Sequence, residues 1–520
     1  MSFMEKLNET LGEEFNTSIT ENGAVGYRTT GKELLDLNFA VSSLRNCSET
    51  DIQKRFASAY FENKLLAIKW LFFASDVRGG MGERRLFRVC INWLAGENPD
   101  VVRRVLPLIP EYSRWDNILN LLDTDIYSDV IDIIKNQLET DMDNMKNGKS
   151  ISLIGKWLPS ANASSKQTKE SARKVIKGLK ITERQYRKML SSLRRYLDVV
   201  ETKMSAKEWS AIDYAAVPSR ANLVYNNAFL RNDETRRRNF LESLTRGETK
   251  INAGTLFPHD VVHKYTGGRY GYYSINPVDT AIEELWKSLP DYVKGAGNTI
   301  CVADGSGSMT SHIGNTSVSC LDVANALAIY FAERSSGEFR NKYITFSEHP
   351  KIVDIGKGNS LRDKICVALS YNEVANTNIE AVFDLILTTA IKNNMTQEDM
   401  PQNILILSDM EFDSCATTSH YGSSCRWENG GIQKKLFNEI ADRYSEYGYK
   451  LPRLVFWNIN SRTETIPIKE NKLGVALVSG YSPTIMKMVL SGQTDPFECL
   501  IEQLNAERYD IIENLIKDLL

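Results

Sequence analysis

The stretch Thr299-Ile300-Cys301-Val302-Ala303-Asp304-Gly305-Ser306-Gly307-Ser308-Met309 decides the fold. An apolar run enters an Asp and is followed by hydroxyls at the second and fourth positions beyond it. Such a run reads as a buried parallel strand whose carboxyl end opens into a loop. In an open α/β sheet that end is where ligands bind, because strand ends and helix starts present polar groups there. One carboxylate with two nearby hydroxyls offers three hard oxygens to a single point. Hard oxygens suit Mg²⁺ or Mn²⁺.

Two further stretches extend the pattern. Asn376-Thr377-Asn378-Ile379 precedes an amphipathic run from Glu380 to Asn393, which places Thr377 in a loop before a helix. Asn403-Ile404-Leu405-Ile406-Leu407-Ser408-Asp409 reads as a second buried strand ending in Asp. Taken alone, Asp304 to Ser308 would pass for a flexible turn. With the loop Thr and the second strand-end Asp, the order and spacing resemble a von Willebrand factor A domain with its metal-ion-dependent adhesion site. The resemblance implies that Asp304, Ser306, Ser308, Thr377 and Asp409 hold Mg²⁺ or Mn²⁺. It implies direct bonds from Ser306 and Ser308, a direct or water-mediated one from Thr377, and mainly water-mediated contacts from the two Asp. Few direct carboxylates leave the ion electrophilic, with a position open to an acidic group of a partner. No His or Lys stands at a motif-like position relative to Ser306 or Ser308, so neither serine is expected to be a nucleophile and no catalytic residue is assigned.

At 520 residues the chain is long enough for two to four domains. Apolar content of 42% and charged content of 25% are those of a globular protein, and a net charge of −3 gives no global attraction to nucleic acid. No apolar run approaches the roughly 18 residues needed to span a bilayer, and Met1 to Glu14 is too polar and acidic for a signal peptide. The eight cysteines are scattered without a CxxC, so free thiols and a reducing, cytoplasmic compartment are expected. Cys415 and Cys425 flank a Ser/Gly-rich loop. The five histidines lack zinc spacing, and His259 and His263, four apart, read as structural.

From about Asn38 to Leu289 apolar residues recur at helical spacing, as in Phe56–Phe73, Leu86–Ala95, Val101–Ile109, Ile126–Leu138, Tyr186–Val200, Trp209–Ala216 and Arg220–Leu230. Successive helices without strand signals predict stacked helical pairs in a solenoid-like array, although no sequence repeat is evident. Beyond Gly297, strands are predicted at 299–303, 342–346, 351–355, 403–408, 453–458 and 474–479, separated by helices. That alternation, with one early hairpin, predicts a doubly wound, mostly parallel sheet. The fold class is therefore α + α/β. The expected domains are a helical one over 1–295, a metal-site domain over 296–492, and an amphipathic C-terminal helix over 493–520 that packs back on a neighbour.

Short motifs sharpen the helical half. Asp76-Val77-Arg78-Gly79-Gly80-Met81-Gly82-Glu83-Arg84 is a tight interhelical loop beside positive charge. Arg114-Trp115-Asp116, Lys156-Trp157-Leu158-Pro159-Ser160 and Leu256-Phe257-Pro258-His259-Asp260 follow, and the second metal strand runs on as Ser408-Asp409-Met410-Glu411-Phe412-Asp413. Together these resemble the TROVE-module family, the Ro autoantigen proteins. They are closer still to a sister family, abundant in viruses and plants, named only as a domain of unknown function. The Ro resemblance implies HEAT-like helical repeats closed into a ring by the von Willebrand A domain. It also implies structured small RNAs on a basic outer face and single-stranded ends of misfolded RNAs in the central hole.

The sequence carries one feature compatible with RNA. Lys156 to Lys203 holds thirteen Lys/Arg against four Asp/Glu, a local net of +9. Within it Lys166, Lys169, Arg173, Lys174, Lys177, Lys180, Arg184, Arg187, Lys188, Arg194 and Arg195 recur every few positions, with Tyr186 and Tyr196 interleaved as candidate stacking platforms. The bland alternative is a solvated helix face balanced by acidic neighbours. Arg236-Arg237-Arg238 reads as plain surface. The expected function is an RNA-binding scaffold or RNA quality-control factor, with a divalent-metal adhesion site and a monomeric state. The competing reading is a metal-dependent protein-interaction scaffold that captures an acidic partner without RNA. A metal nuclease or phosphotransferase is disfavoured, because no GxxxxGK[ST] phosphate loop is present.

Overall fold

Unbroken apolar runs such as Ile404-Leu405-Ile406-Leu407 and Leu454-Val455-Phe456-Trp457 can be satisfied only by strands covered on both faces. The computed structural model folds them that way. It describes residues 15–20, 25–267, 275–294, 297–347, 349–372, 379–411, 440–463, 465–467, 475–486 and 495–520. Contacts divide the chain into two compact units, each assembled from separated segments. Residues 1–48, 57–62 and 256–503 form one, and residues 49–56, 63–255 and 504–520 the other.

In chain order the structure opens with a short antiparallel hairpin, β1 (Thr17–Ile19) and β2 (Val25–Tyr27). Helices α1 (Glu33–Ala40), α2 (Glu49–Glu62), α3 (Lys64–Ser75), α4 (Arg84–Glu97), α5 (Pro99–Val105) and α6 (Tyr127–Lys146) follow. Next come α7 (Lys166–Gly178), α8 (Glu183–Tyr196), α9 (Val200–Ala206), α10 (Ser219–Asn232) and α11 (Glu234–Thr245). Then come α12 (Pro258–Thr266), α13 (Thr280–Lys287), β3 (Thr299–Asp304), α14 (Cys320–Arg334), β4 (Lys342–Phe346) and β5 (Ile352–Asp354). The chain continues through α15 (Leu361–Ser370), α16 (Ile379–Lys392), β6 (Asn403–Ser408), β7 (Arg453–Asn458) and β8 (Val475–Ser479) to α17 (Pro496–Leu504) and α18 (Asp510–Ile516). Helical segments of four residues or fewer are left unlabelled.

The larger sheet has the order β5-β4-β3-β6-β7-β8; β5 is its antiparallel edge and all other neighbours are parallel. Ala303 lies opposite Leu407 on one side and Thr345 on the other. Val302, Ile344, Ile406, Phe456 and Leu477 bury one apolar layer with Phe383 of α16 and Tyr444. The strand order runs outward in opposite directions from β3 and β6, so their carboxyl ends flank a switch point. That is the crevice where such sheets bind ligands.

The helical unit departs from the sequence reading at its breaks. Phe56–Phe73 reads as one helix, yet Asn63 divides it, its side chain capping α3 through the Leu66 amide. The Tyr186–Val200 pattern likewise stops at Asp198, whose φ of +53° ends α8 before α9 begins. Trp209–Ala216 is a short turn of 3-10 helix, Trp209–Ala211, rather than an α-helix. Within this unit α3 packs on α4, α4 on α5 and α10 on α11, while α18 packs on α3 and α5. No helix among the described residues is long and apolar enough to cross a membrane.

Candidate functional site

The backbone turn after β3 is dictated by Asp304 itself. Its Oδ1 accepts the Ser306 amide at 2.9 Å, a local bond that bends the loop back over the strand end. Ser306 and Ser308 then stand with their hydroxyl oxygens 3.0 Å apart. Ser408, the last residue of β6, donates to Asp304 Oδ2 at 2.7 Å and accepts the Met410 amide. Met410 sits at a φ of +62°, which turns the chain after Asp409. Four of the five metal-site positions read from the sequence are thus neighbours at the switch point. Thr377, the fifth, lies outside the described residues.

Electrostatically the site lacks positive charge at its centre. Asp304 and Asp409 are 2% and 1% exposed. Burial first, and then the neighbouring Asp304 charge, push the Asp409 carboxyl up to about 7; Ser308 and Arg462 oppose the shift. Arg462 approaches Asp409 Oδ2 only to 3.6 Å, and that oxygen accepts no hydrogen bond among the described residues. An oxygen-only donor set with a repelling carboxylate pair and an unsatisfied buried oxygen fits a hard divalent cation. Arg462 was not legible from the sequence, since it lies 53 positions beyond Asp409. Its loop is anchored by the buried Glu411, which accepts the Arg462 and Thr463 amides at 2.7 and 2.9 Å.

A second polar cluster joins α12 to α14. His263 Nδ1 lies 2.8 Å from Asp322 Oδ2 and Nε2 lies 2.9 Å from Ser317 Oγ. Asp322 also accepts the Thr266 hydroxyl and the Ser319 amide, completing the capping box of α14. The buried carboxylate is fully used in tying two helices, with Ser317 on an exposed turn. His263 thus links α12 to the start of α14 and to the Ser317 hydroxyl.

The basic stretch lies on α7, α8 and the turn between them, and this arrangement sorts its residues. Lys166, Arg173, Lys177, Lys180, Arg184, Arg187, Lys188 and Arg195 are exposed, and Lys169 and Lys174 are half-buried. Lys174 is neutralised by Asp123 at 2.5 Å and Lys166 loosely by Glu170 at 4.0 Å. The side chains of Lys169, Arg173, Lys177, Lys180, Arg184, Arg187, Lys188 and Arg195 make no hydrogen bond or ion pair among the described residues. Arg184, Arg187 and Lys188 line a cleft of about 650 Å³ together with one acid, Glu183, and the polar Ser160, Asn162 and Ser191.

Two members of the stretch have other work. Arg194 donates to the carbonyls of Gly155 and Leu158 and to the Ser160 hydroxyl, so its guanidinium pins the Lys156–Ser160 element. Tyr186 is fully buried and donates to the Pro159 carbonyl, which removes it as a stacking platform. Its place in the α8 period, opposite the charges, is the signal that it faces inward. Tyr196 remains 39% exposed. Arg237, read as surface, is also buried: it donates to Asn222 and Asn226 among the rings of Tyr214, Phe229 and Phe240.

Comparison with known proteins matches both halves of this arrangement. The family model described as "Domain of unknown function (DUF7788)" covers residues 298–512, and "Domain of unknown function (DUF2828)" covers residues 20–110 and 162–298. The chain is 29% identical over 529 residues to "Uncharacterized protein L728" of Acanthamoeba polyphaga mimivirus, spanning 94% of this chain and 87% of that protein. The expected likeness to a sister family named only as a domain of unknown function, with a viral relative, is what these matches support.

Proposed function

We propose that this is an RNA-binding protein of Ro-like organisation, with a von Willebrand A-type metal site as a separate docking point. The observation that carries the RNA reading is the set of cations on α7, α8 and the turn between them that have no acidic partner among the described residues. A solvated, balanced helix face would pair them; eight unpaired side chains, three of them around one cleft, form a field that attracts phosphates. Hydroxyl and amide groups from Ser160, Asn162 and Ser191 supply uncharged hydrogen-bond partners in the same cleft. The bound RNA is held mainly through its backbone, which favours recognition of shape over sequence.

Mg²⁺ or Mn²⁺ at the strand ends would be held by Asp304, Ser306, Ser308 and Asp409, with Thr377 as the fifth member, and would supply a Lewis-acidic point for a partner carboxylate. Asp304 and Asp409 hold the loops in place, Ser408 orients Asp304, and Arg462 limits the negative charge. This site is assigned a binding role and no catalytic one.

The test is RNA rebinding by protein stripped in high salt and treated with nuclease. The triple variant Arg184→Glu, Arg187→Glu, Lys188→Glu should weaken binding of structured and 3′-tailed RNAs at least tenfold, since each reversed contact costs on the order of 1 kcal/mol. EDTA should leave that binding intact while releasing an acidic protein partner. Unchanged RNA affinity in the triple variant would sink the reading.

A further inference from the structure

The Gly-rich loop, the Arg-Trp-Asp segment and the Lys-Trp-Leu-Pro-Ser element are far apart in sequence, and the RNA cleft on α8 leaves most of their charged residues without a role. In the helical unit they meet. Asp116 holds two guanidiniums at once: Arg88 reaches its Oδ2 at 3.1 Å, and Arg114 donates from both Nε (2.8 Å) and Nη2. Arg88 is fixed further by the Asn117 side chain at 2.6 Å. The Arg114 guanidinium lies 4.0 Å from the centre of the Trp157 ring. Two arginines are therefore locked in place around a single carboxylate.

Arg84 adds a third. It is the first residue of α4, a helix of 14 residues whose N-cap, Glu83, makes no side-chain capping bond. The turn before it is rigid. Met81 and Gly80 donate to the Phe73 and Asp76 carbonyls, and Glu83 to that of Ala74. Gly80 is obligatory, because a Cβ there would stand 1.9 Å from the Phe73 carbonyl oxygen. Arg84 is exposed, and its side chain makes no hydrogen bond or ion pair among the described residues. Even so, its pKa falls below the ordinary arginine value, first through desolvation by its surroundings and then through the charge of Arg114. Asp116 opposes the shift, and Arg220 and Arg88 add to it.

Arg84, Arg88 and Arg114 gather around Asp116 here, and Arg84 stands unpaired among the described residues at the positive end of a helix. Like charges held together by rigid elements are costly unless an anion completes the set. We propose that the cluster of Arg84, Arg88 and Arg114 at the start of α4 is a binding site for a phosphate monoester or free phosphate. Arg84 contributes the open guanidinium fork and the first amides of α4 face the same anion. A dianion suits the site better than a backbone diester, because Arg84, Arg88 and Arg114 with Asp116 carry a net charge of about +2. Guanidinium forks bind phosphate oxygens in pairs, a geometry lysine does not reproduce.

If the proposed RNA binding holds, a terminal phosphate of that RNA is one source of the group, and free phosphate or a small phosphate ester is the other. The experiment uses the full chain and two probes. The first is a short oligoribonucleotide carrying a 5′-phosphate, a 3′-phosphate or only hydroxyl ends; the second is inorganic phosphate, read by calorimetry or thermal shift. A terminal phosphate is expected to tighten binding about tenfold, the scale of charge-assisted hydrogen bonds. Arg84→Gln abolishes that preference without lowering the melting temperature, since Arg84 bonds to nothing in the fold. Arg84→Lys restores only part of it. An Arg84-dependent response to inorganic phosphate alone supports the site and assigns it to small phosphates. No Arg84-dependent response to either probe overturns it. The inorganic-phosphate arm needs no RNA, and the triple variant on α8 should leave it unchanged, so failure of the RNA reading and failure of this site are separate results.

Discussion

At the scale of single residues, the carboxylate pair at the switch point makes the sharpest claim. Asp304 and Asp409 repel each other in a buried setting, and a divalent cation at the proposed site would remove that cost. Mg²⁺ or Mn²⁺ should raise the melting temperature of the wild type, and a concentration a hundredfold above Kd would contribute about 2.7 kcal/mol. Asp409→Asn separates the two effects. In EDTA the variant should be at least as stable as the wild type, since one of two adjacent charges is gone. In Mg²⁺ it should lose the gain. Thermal melts with and without the ion decide it, and an equal Mg²⁺ response in both proteins would refute the metal assignment. Asp304 and Asp409 were legible as strand ends because a parallel strand buried on both faces stands out as an apolar run, and its carboxyl end lies at the edge where such sheets bind ligands. Arg462 and Ser408 were not, because their roles depend on which loops the sheet brings together. Tyr186 and Arg194 show the same limit. Side-chain type marked them as RNA contacts, while their bonds to the Pro159, Gly155 and Leu158 carbonyls use them internally.

At the scale of elements, the periodicity located most helices and strands, and the misses fall where one side chain overrides the period. Asn63 and Asp198 each interrupt a continuous apolar pattern, one by capping, the other by a left-handed φ. The C-terminal segment is the instructive case. Its amphipathic pattern predicts one helix, yet the chain forms α17, a turn and α18, and residues 504–520 join the helical unit. What holds them is polar and buried. Lys69, 1% exposed, pairs with Glu513 at 2.6 Å and with Asn505 at 3.1 Å, and Asp76 takes Arg508 and Tyr509. Deleting 505–520 would leave both Lys69 and Asp76 buried without these partners, and removing one partner of a buried pair typically costs about 3–5 kcal/mol. The helical unit should then unfold at markedly lower urea, while Glu513→Gln, with Glu513 itself well exposed, should cost less. Acid should act through the same contact. The bond from Lys69 holds the Glu513 carboxyl below its ordinary value. Its stabilising share is therefore complete above the ordinary carboxylate range and is lost as pH falls through the lowered value. Hydrogen exchange across α18 as pH drops checks this; protection unchanged down to pH 2 would argue against the contact.

At the scale of the whole molecule, a chain with a net charge of −3 cannot draw RNA by its overall field. The proposed RNA binding would have to come from segregation, with +9 concentrated in residues 156–203 and −12 spread over the rest. The sequence made that segregation visible as a count; only the fold shows that most of the charges are unpaired among the described residues and that three of them converge on a cleft. Segregated charge has a thermodynamic signature that a diffuse surface lacks. Each phosphate neutralised by a cation releases condensed counterions, so log K falls with log salt at a slope of about −0.7 per contact for single strands. If Arg184, Arg187 and Lys188 each hold one phosphate, their neutral variant Arg184→Gln, Arg187→Gln, Lys188→Gln should bind more weakly and with a slope shallower by about 2. Replacing Lys174, already neutralised by Asp123, should change neither. Filter binding from roughly 50 to 300 mM salt measures both quantities on the same samples. A slope that stays constant while affinity drops would place the lost energy in packing rather than in phosphate contacts, and the α8 cleft would no longer be the RNA seat.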